Sequence, residues 1–182
     1  MVRFQDRGRE YRFHTAAGVF SRGGVDRGTR LMLEAVDPGD AATVLDLGCG
    51  YGPVGVVIAA RAPRARVVLV DINPRAAALA AANVRENGVR NAEVRTGDGC
   101  APVDAMRFDL VLLNPPIRAG RSAVVRLVRD ARAHLAPAGR FYLVARTSQG
   151  ARSLARCMNE VFERVSEIER GGGFRVYEGR DV

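Results

Sequence analysis

The stretch Thr43–Gly55, T-V-L-D-L-G-C-G-Y-G-P-V-G, limits what this chain can fold into more than any other. Val44-Leu45 opens a short apolar run broken only by Asp46. Glycines follow at 48, 50, 52 and 55, and an apolar helical pattern runs from Val54 to Arg61. Strand, glycine turn and helix form the first half of a βαβ unit. Glycine permits the tight turn and lets a ligand approach backbone that a Cβ would screen. The amides at the helix start are expected to make a partly positive site.

A dinucleotide fingerprint reads G-x-G-x-x-G. Counted from Gly48 and Gly50, its third glycine falls on Pro53, and the pattern present is D-x-G-x-G-x-G with Asp46 just before the turn. A carboxylate there repels a pyrophosphate but suits a ligand with an ammonium or sulfonium group, which points to S-adenosylmethionine. On this stretch alone, a dinucleotide site or a turn that only packs a helix on a sheet stays open.

Arg66–Asp71 reads as a second strand whose continuous apolar run suits a parallel strand buried on both faces. Asp71 stands at its carboxyl end, where an acid accepts hydrogen bonds from both ribose hydroxyls of a nucleoside; capping the next helix is the alternative. Pro74 and the alanine-rich Arg75–Glu86 predict a helix closed by Gly88. After a third strand, Glu93–Thr96, Asp98 is placed for the exocyclic amine of adenine, or simply makes a turn.

A fourth strand, Phe108–Leu113, runs straight into Asn114-Pro115-Pro116-Ile117. Two prolines stiffen this loop and leave carbonyls without matching N–H donors. With the Asn114 side-chain carbonyl they form a rigid pair of acceptors that can grip a planar –NH2 group. Such an amine is a poor nucleophile when conjugated, so its alignment matters more than a strong base. A stiff strand-to-loop turn is the plain alternative.

Helical spacing in Arg121–Leu135 puts Val124, Leu127, Val128, Ala131 and Leu135 on one side. Arg118, Arg121, Arg126, Arg129 and Arg132 fall on the other, a face that is either solvated or tracks a nucleic-acid backbone. Pro137-Ala138-Gly139 is expected to turn into a strand over Arg140–Ala145, followed by a helix over Ala151–Phe162 and a hairpin of Val165–Glu169 with Phe174–Glu178. Upstream, Tyr11–His14 reads as a weak strand with Gly18–Phe20 as its hairpin partner, and Asp26–Val36 as a helix capped by Asp26.

The 182 residues suffice for one domain, with 1–40 as an N-terminal hairpin and helix extension and 41–182 as the catalytic core. No apolar run approaches the roughly 20 residues of a membrane span, and Met1–Tyr11 is polar, so the expectation is a cytoplasmic protein with no membrane partner. Cys49, Cys100 and Cys157 are too few and too scattered for a disulfide framework or a zinc site, and no metal is expected. A net charge of +8 favours an anionic partner, nucleic acid above all. All 28 basic residues are arginine, which excludes lysine-based chemistry.

With both informative stretches placed, the sequence resembles the class I S-adenosylmethionine-dependent methyltransferases. More narrowly, it resembles the small-domain family related to the ribosomal RNA small-subunit guanine-N2 methyltransferases, and in particular its short members without the extra N-terminal domain. G-V-F-S at 18–21, V-D-R-G-T at 25–29, L-D-L-G-C-G-Y-G-P-V-G at 45–55, D-I-N at 71–73, N-P-P-I-R-A-G at 114–120 and G-G-F-R-V at 172–176 carry the likeness. It implies an α/β, Rossmann-like fold: a seven-stranded, mostly parallel sheet of order 3-2-1-4-5-7-6, strand 7 antiparallel, with helices on both faces. It implies S-adenosylmethionine held by Asp46, Gly48, Gly50, Gly52, Asp71, Ile72, Asp98 and Asn114. Asn114 and the Pro115 carbonyl would hold the target amine, with Phe20, Ser21, Pro116, Ile117, Arg118 and Arg121 on the substrate side. Ile117 stands where such enzymes often carry Tyr or Phe to stack on a flipped base. The expected reaction is methyl transfer to an exocyclic amine, guanine N2 of ribosomal RNA first, needing no metal. A protein glutamine or DNA adenine substrate, and a non-catalytic RNA-binding module, are the rival readings.

Overall fold

The computed structural model describes residues 1–16, 24–116 and 120–181. The N-terminal segment forms a hairpin of β1 (Val2–Asp6) and β2 (Arg9–Phe13). Tyr11 pairs with Phe4, on its N-terminal side; the expected partner, Gly18–Phe20, lies outside the described residues. The two residues of the turn, Arg7 and Gly8, have φ of 45° and 82°, the left-handed pair that a two-residue hairpin turn requires. Phe4, Tyr11 and Phe13 are buried on one face of the hairpin, and the Phe13 ring meets Tyr51 of the glycine bend edge-on at 5.8 Å. Arg61 ties the hairpin down by a two-point ion pair with Asp6 and by donating to the carbonyls of Leu33 and Val36.

Asp26 caps α1 (Arg27–Ala35), accepting from the Gly28 and Thr29 amides at 2.9 and 3.2 Å. The core then alternates strand and helix: β3 (Thr43–Leu47), α2 (Pro53–Arg61), β4 (Arg66–Asp71), α3 (Pro74–Glu86), β5 (Ala92–Thr96), β6 (Phe108–Leu113), α4 (Arg121–Ala133) and β7 (Leu135–Arg146). It closes with α5 (Ala151–Asn159), β8 (Arg164–Gly171) and β9 (Phe174–Arg180). The seven core strands lie in the order β5-β4-β3-β6-β7-β9-β8, with β9 antiparallel to both its neighbours. Numbered from β3, this is the expected order 3-2-1-4-5-7-6.

Side chains of the central strands alternate between the sheet's two faces. Val44, Leu69, Leu110 and Leu112 pack under α1, α2, α3 and the hairpin, whereas Leu45, Leu47, Val68, Val111 and Leu113 pack under α4 and α5. Close approach of α2 to β4 needs Gly55, because a Cβ there would lie 2.5 Å from Leu69 Cγ. One expected boundary moves. β7 begins at Leu135, paired with Phe108, and Pro137-Ala138-Gly139 forms an irregularity within the strand instead of a turn before it. α4 accordingly ends at Ala133, and α5 ends at Asn159, three residues before Phe162.

Candidate active site

β3, β4, β5 and β6 are parallel, so their carboxyl ends lie together at the position where ligands bind in open α/β sheets. A cavity of about 300 Å³ opens there. It is lined by Asp46, Gly48 and Gly50 from the first strand and bend, Asp71 and Ile72 from the second, Asp98 from the third and Asn114, Pro115 and Pro116 from the fourth. Positions up to 70 residues apart in sequence thus share one wall, and most of the residues singled out for the cofactor are brought together.

Gly48 and Gly50 adopt φ of 70° and 59°, and a Cβ at either would project into open space. Any other side chain would strain the backbone and fill the cavity floor. Asp71 is bound to this bend: its Oδ2 accepts from the Gly50 amide at 2.7 Å, and its Oδ1 from the Asn73 amide at 2.8 Å. Helix α3 is capped by Asn73, not by Asp71. Ile72 is 66% exposed, a large apolar side chain left at the lip of the cavity.

The amides of the bend, and that of Gly55 in the helix start, are engaged inside the protein. The Gly48 and Cys49 amides donate to Val70 O, Gly50 to Asp71, Gly52 to Cys49 O and Gly55 to Asp46 Oδ2. Donors satisfied inside the protein cannot cradle a pyrophosphate, and two carboxyl groups sit beside them. The bend therefore favours a ligand that is not anionic at this point. Gly52 also differs from expectation: it caps α2 with φ of 88° and faces Leu69 and Ala80 instead of lining the cavity. Cys49 and Cys100 are buried, and burial raises both thiols, Cys100 to about 12, so neither is a ready nucleophile.

Asp46 lines the cavity but is only 3% exposed. Burial, reinforced by Asp71, pushes its carboxyl up to about 7 against the opposing Gly55 hydrogen bond. An acid whose pKa is higher when folded than unfolded holds more protons in the folded state between the two values, so stability falls as pH rises from about 4 to about 7. One pKa unit is worth about 1.4 kcal/mol, which makes the loss on the order of a few kcal/mol. Asp46→Asn keeps an acceptor for Gly55 and is expected to flatten that limb in denaturant titrations run across the range. An unchanged slope would remove Asp46 as its source.

Asp98 is more than half exposed and accepts from Arg126 Nη2 at 2.8 Å. Arg126 itself lines the cavity, as does Thr29 from α1; neither was singled out for the site. Arg121 lies outside this cavity, in a shallow groove on the basic face of α4 with Arg126 and Arg129. Phe20, Ser21, Ile117 and Arg118 lie outside the described residues. On that basic face Arg126 and Arg132 are ion-paired, to Asp98 and Asp130 and to Asp181. Among the described residues no helix is long and apolar enough to cross a membrane.

A Rossmann-like sheet of this order, with a glycine bend, an acid at the next strand end and an Asn-Pro-Pro loop at one cavity, defines the methyltransferase class. The family model for the methyltransferase small domain matches residues 10–178, and the chain belongs to that family. Uncharacterized protein YbxB of Bacillus subtilis is 33% identical over 181 residues, covering 98% of this chain and 90% of that protein. Ribosomal RNA small subunit methyltransferase C of Pseudomonas syringae pv. syringae is 36% identical over 172 residues, covering 90% of this chain and 49% of that protein. The solved structure of T. thermophilus 16S rRNA N2 G1207 methyltransferase (RsmC), in complex with AdoMet and guanosine, matches with a TM-score of 0.88 at 26% identity. It covers 99% of this chain and 50% of that one. The chain therefore spans about half the length of the methyltransferase C relatives it matches.

Proposed function

We propose that this chain transfers a methyl group from S-adenosylmethionine to an exocyclic amine, that of guanine N2 in ribosomal RNA. The observation that carries the reading is the single cavity that joins the glycine bend, Asp71 and Ile72 to the Asn114-Pro115-Pro116 loop. When bound, the cofactor supplies an electrophilic methyl on a sulfonium sulfur. Gly48 and Gly50 leave the floor clear for it, and Asp46 faces its amino-acid end. Asp71 accepts from the ribose hydroxyls, Ile72 packs on the adenine and Asp98 accepts from the adenine amine.

On the other side, the Asn114 side-chain oxygen and the Pro115 carbonyl accept from the target –NH2 and orient its lone pair. These acceptors also stabilise the positive charge that grows on nitrogen as the new bond forms, and the surplus proton then leaves the nitrogen for water. Pro116, Ile117, Phe20 and Ser21 bound the base, and Arg118 and Arg121 meet the RNA backbone. The names of the P. syringae and T. thermophilus relatives, which specify ribosomal RNA, support this substrate class. The basic face of α4, opening beside the Asn-Pro-Pro loop, supports it independently.

The test is transfer from radiolabelled cofactor onto separate RNA, DNA and protein fractions, with mass spectrometry of the RNA nucleosides. Label in N2-methylguanosine is the expected result. Label confined to DNA adenine or protein glutamine would replace the substrate, and no transfer to any fraction would reject the enzyme.

A further inference from the structure

Thr29 is 2% exposed in the first turn of α1, and its hydroxyl joins two groups from distant parts of the chain. It donates to Asp26 Oδ2 at 2.5 Å, and its oxygen accepts from Asn114 Nδ2 at 3.1 Å. Asp26 Oδ1 already accepts from the Gly28 and Thr29 amides, so the carboxylate is held from two sides.

The polarity of this relay follows from a count of hydrogens. A hydroxyl has one hydrogen, and a carboxylate can only accept it. The Thr29 hydrogen is therefore committed to Asp26, and toward Asn114 the hydroxyl offers only lone pairs. Of the two ends of the Asn114 amide, only the NH2 can face it; the reverse would oppose two acceptors. Thr29 and Asn114 both line the cavity, and with one of its two N–H groups tied to Thr29 the amide is fixed in the orientation that turns its oxygen away from Thr29 and leaves it for a ligand. Turned the other way, the amide would present a donor to an amine that is itself a donor.

We propose that Thr29 is a positioning residue: locked by Asp26, its hydroxyl sets the Asn114 amide with its oxygen toward the amine to be methylated. The proposal rests on the reading of Asn114 as the group that grips that amine. It also gives α1, which lies outside the βαβ core, a part in the chemistry.

Thr29→Val keeps the shape and removes the hydroxyl. It is expected to lower kcat roughly 10- to 100-fold, the scale of a misaligned reactant, with little change in the KM for RNA or in cofactor affinity. Thr29→Ser should restore most of the rate. Asp26→Asn keeps a capping oxygen, but its new NH2 can donate to Thr29 and release the hydroxyl hydrogen toward Asn114; kcat should fall although α1 stays capped. A readout independent of turnover is solvent exchange of the Asn114 side-chain NH2 by NMR. It should be slow in the wild-type protein and in Thr29→Ser, and faster in Thr29→Val. Wild-type kcat in Thr29→Val together with unchanged Asn114 exchange would overturn the relay. If the wild-type protein methylates nothing, the proposed function fails and with it the part of the proposal that concerns the amine; the exchange measurement then decides only whether Thr29 holds the Asn114 amide, faster exchange in Thr29→Val upholding that and unchanged exchange overturning it.

Discussion

Asn114→Ala is expected to lower kcat by roughly 100- to 1,000-fold, the usual cost of removing one preorganised group that acts on charge developing in the transition state. Cofactor affinity should change little, because the bend, Asp71 and Ile72 lie on other strands. The selectivity of the loss follows from when the interaction strengthens. An amine in the ground state is weakly polar, whereas one that has begun to form its fourth bond is cationic, so an oxygen facing it gains in the transition state. The fold is expected to tolerate the change: Asn114 is half-buried, and among the described residues its side chain hydrogen-bonds to Thr29 alone. Single-turnover transfer to RNA, paired with calorimetry of cofactor binding, separates the two quantities. Turnover near wild type would remove Asn114 from its assigned role. A parallel collapse of cofactor binding would make it a wall of the cofactor pocket instead.

The sheet was legible because its signals are local. β4 and β6 carry the apolar runs Val67–Val70 and Leu110–Leu113, α3 opens on Pro74 and closes before Gly88, and the glycine bend admits few conformations. Cavity residues on strand ends were legible for the same reason, since a parallel sheet brings its carboxyl ends together whatever lies between. What escaped depends on contacts made across the fold. The pairing of the Tyr11 strand with Val2–Asp6 escaped because the Arg7-Gly8 turn shows itself only through φ values that composition does not carry. Pro137 and Gly139 look like a turn, but pairing of Leu135 with Phe108 draws them into β7. Which amides of the bend are engaged depends on Val70 O and Asp71, acceptors that only the folded chain brings beside them. Thr29 was visible within V-D-R-G-T but had no chemical mark of its own, because its importance lies in a partner 85 residues away.

Asp71→Ala is expected to weaken S-adenosylmethionine binding by about 100-fold, with kcat at saturating cofactor largely kept. A carboxylate has about four acceptor sites. Among the described residues Gly50 and Asn73 each occupy one, on opposite oxygens, which leaves one on each oxygen for a diol. Hydrogen bonds to a charged acceptor are worth about 1.5–3 kcal/mol each, so two of them, reduced by the desolvation of the carboxylate, account for the expected loss. The same substitution also frees the Gly50 and Asn73 amides, and the bend could loosen as a second cause of weak binding. 2′-Deoxy and 3′-deoxy analogues of the cofactor distinguish the causes. If Asp71 holds the diol, each analogue binds the wild-type protein several-fold less tightly than the parent, and the alanine variant no longer discriminates between them. If Asp71 acts only through the bend, the penalty for a missing hydroxyl is the same in both proteins. Equal cofactor affinity for wild type and variant by calorimetry would reject the placement altogether and move the ribose to another part of the wall.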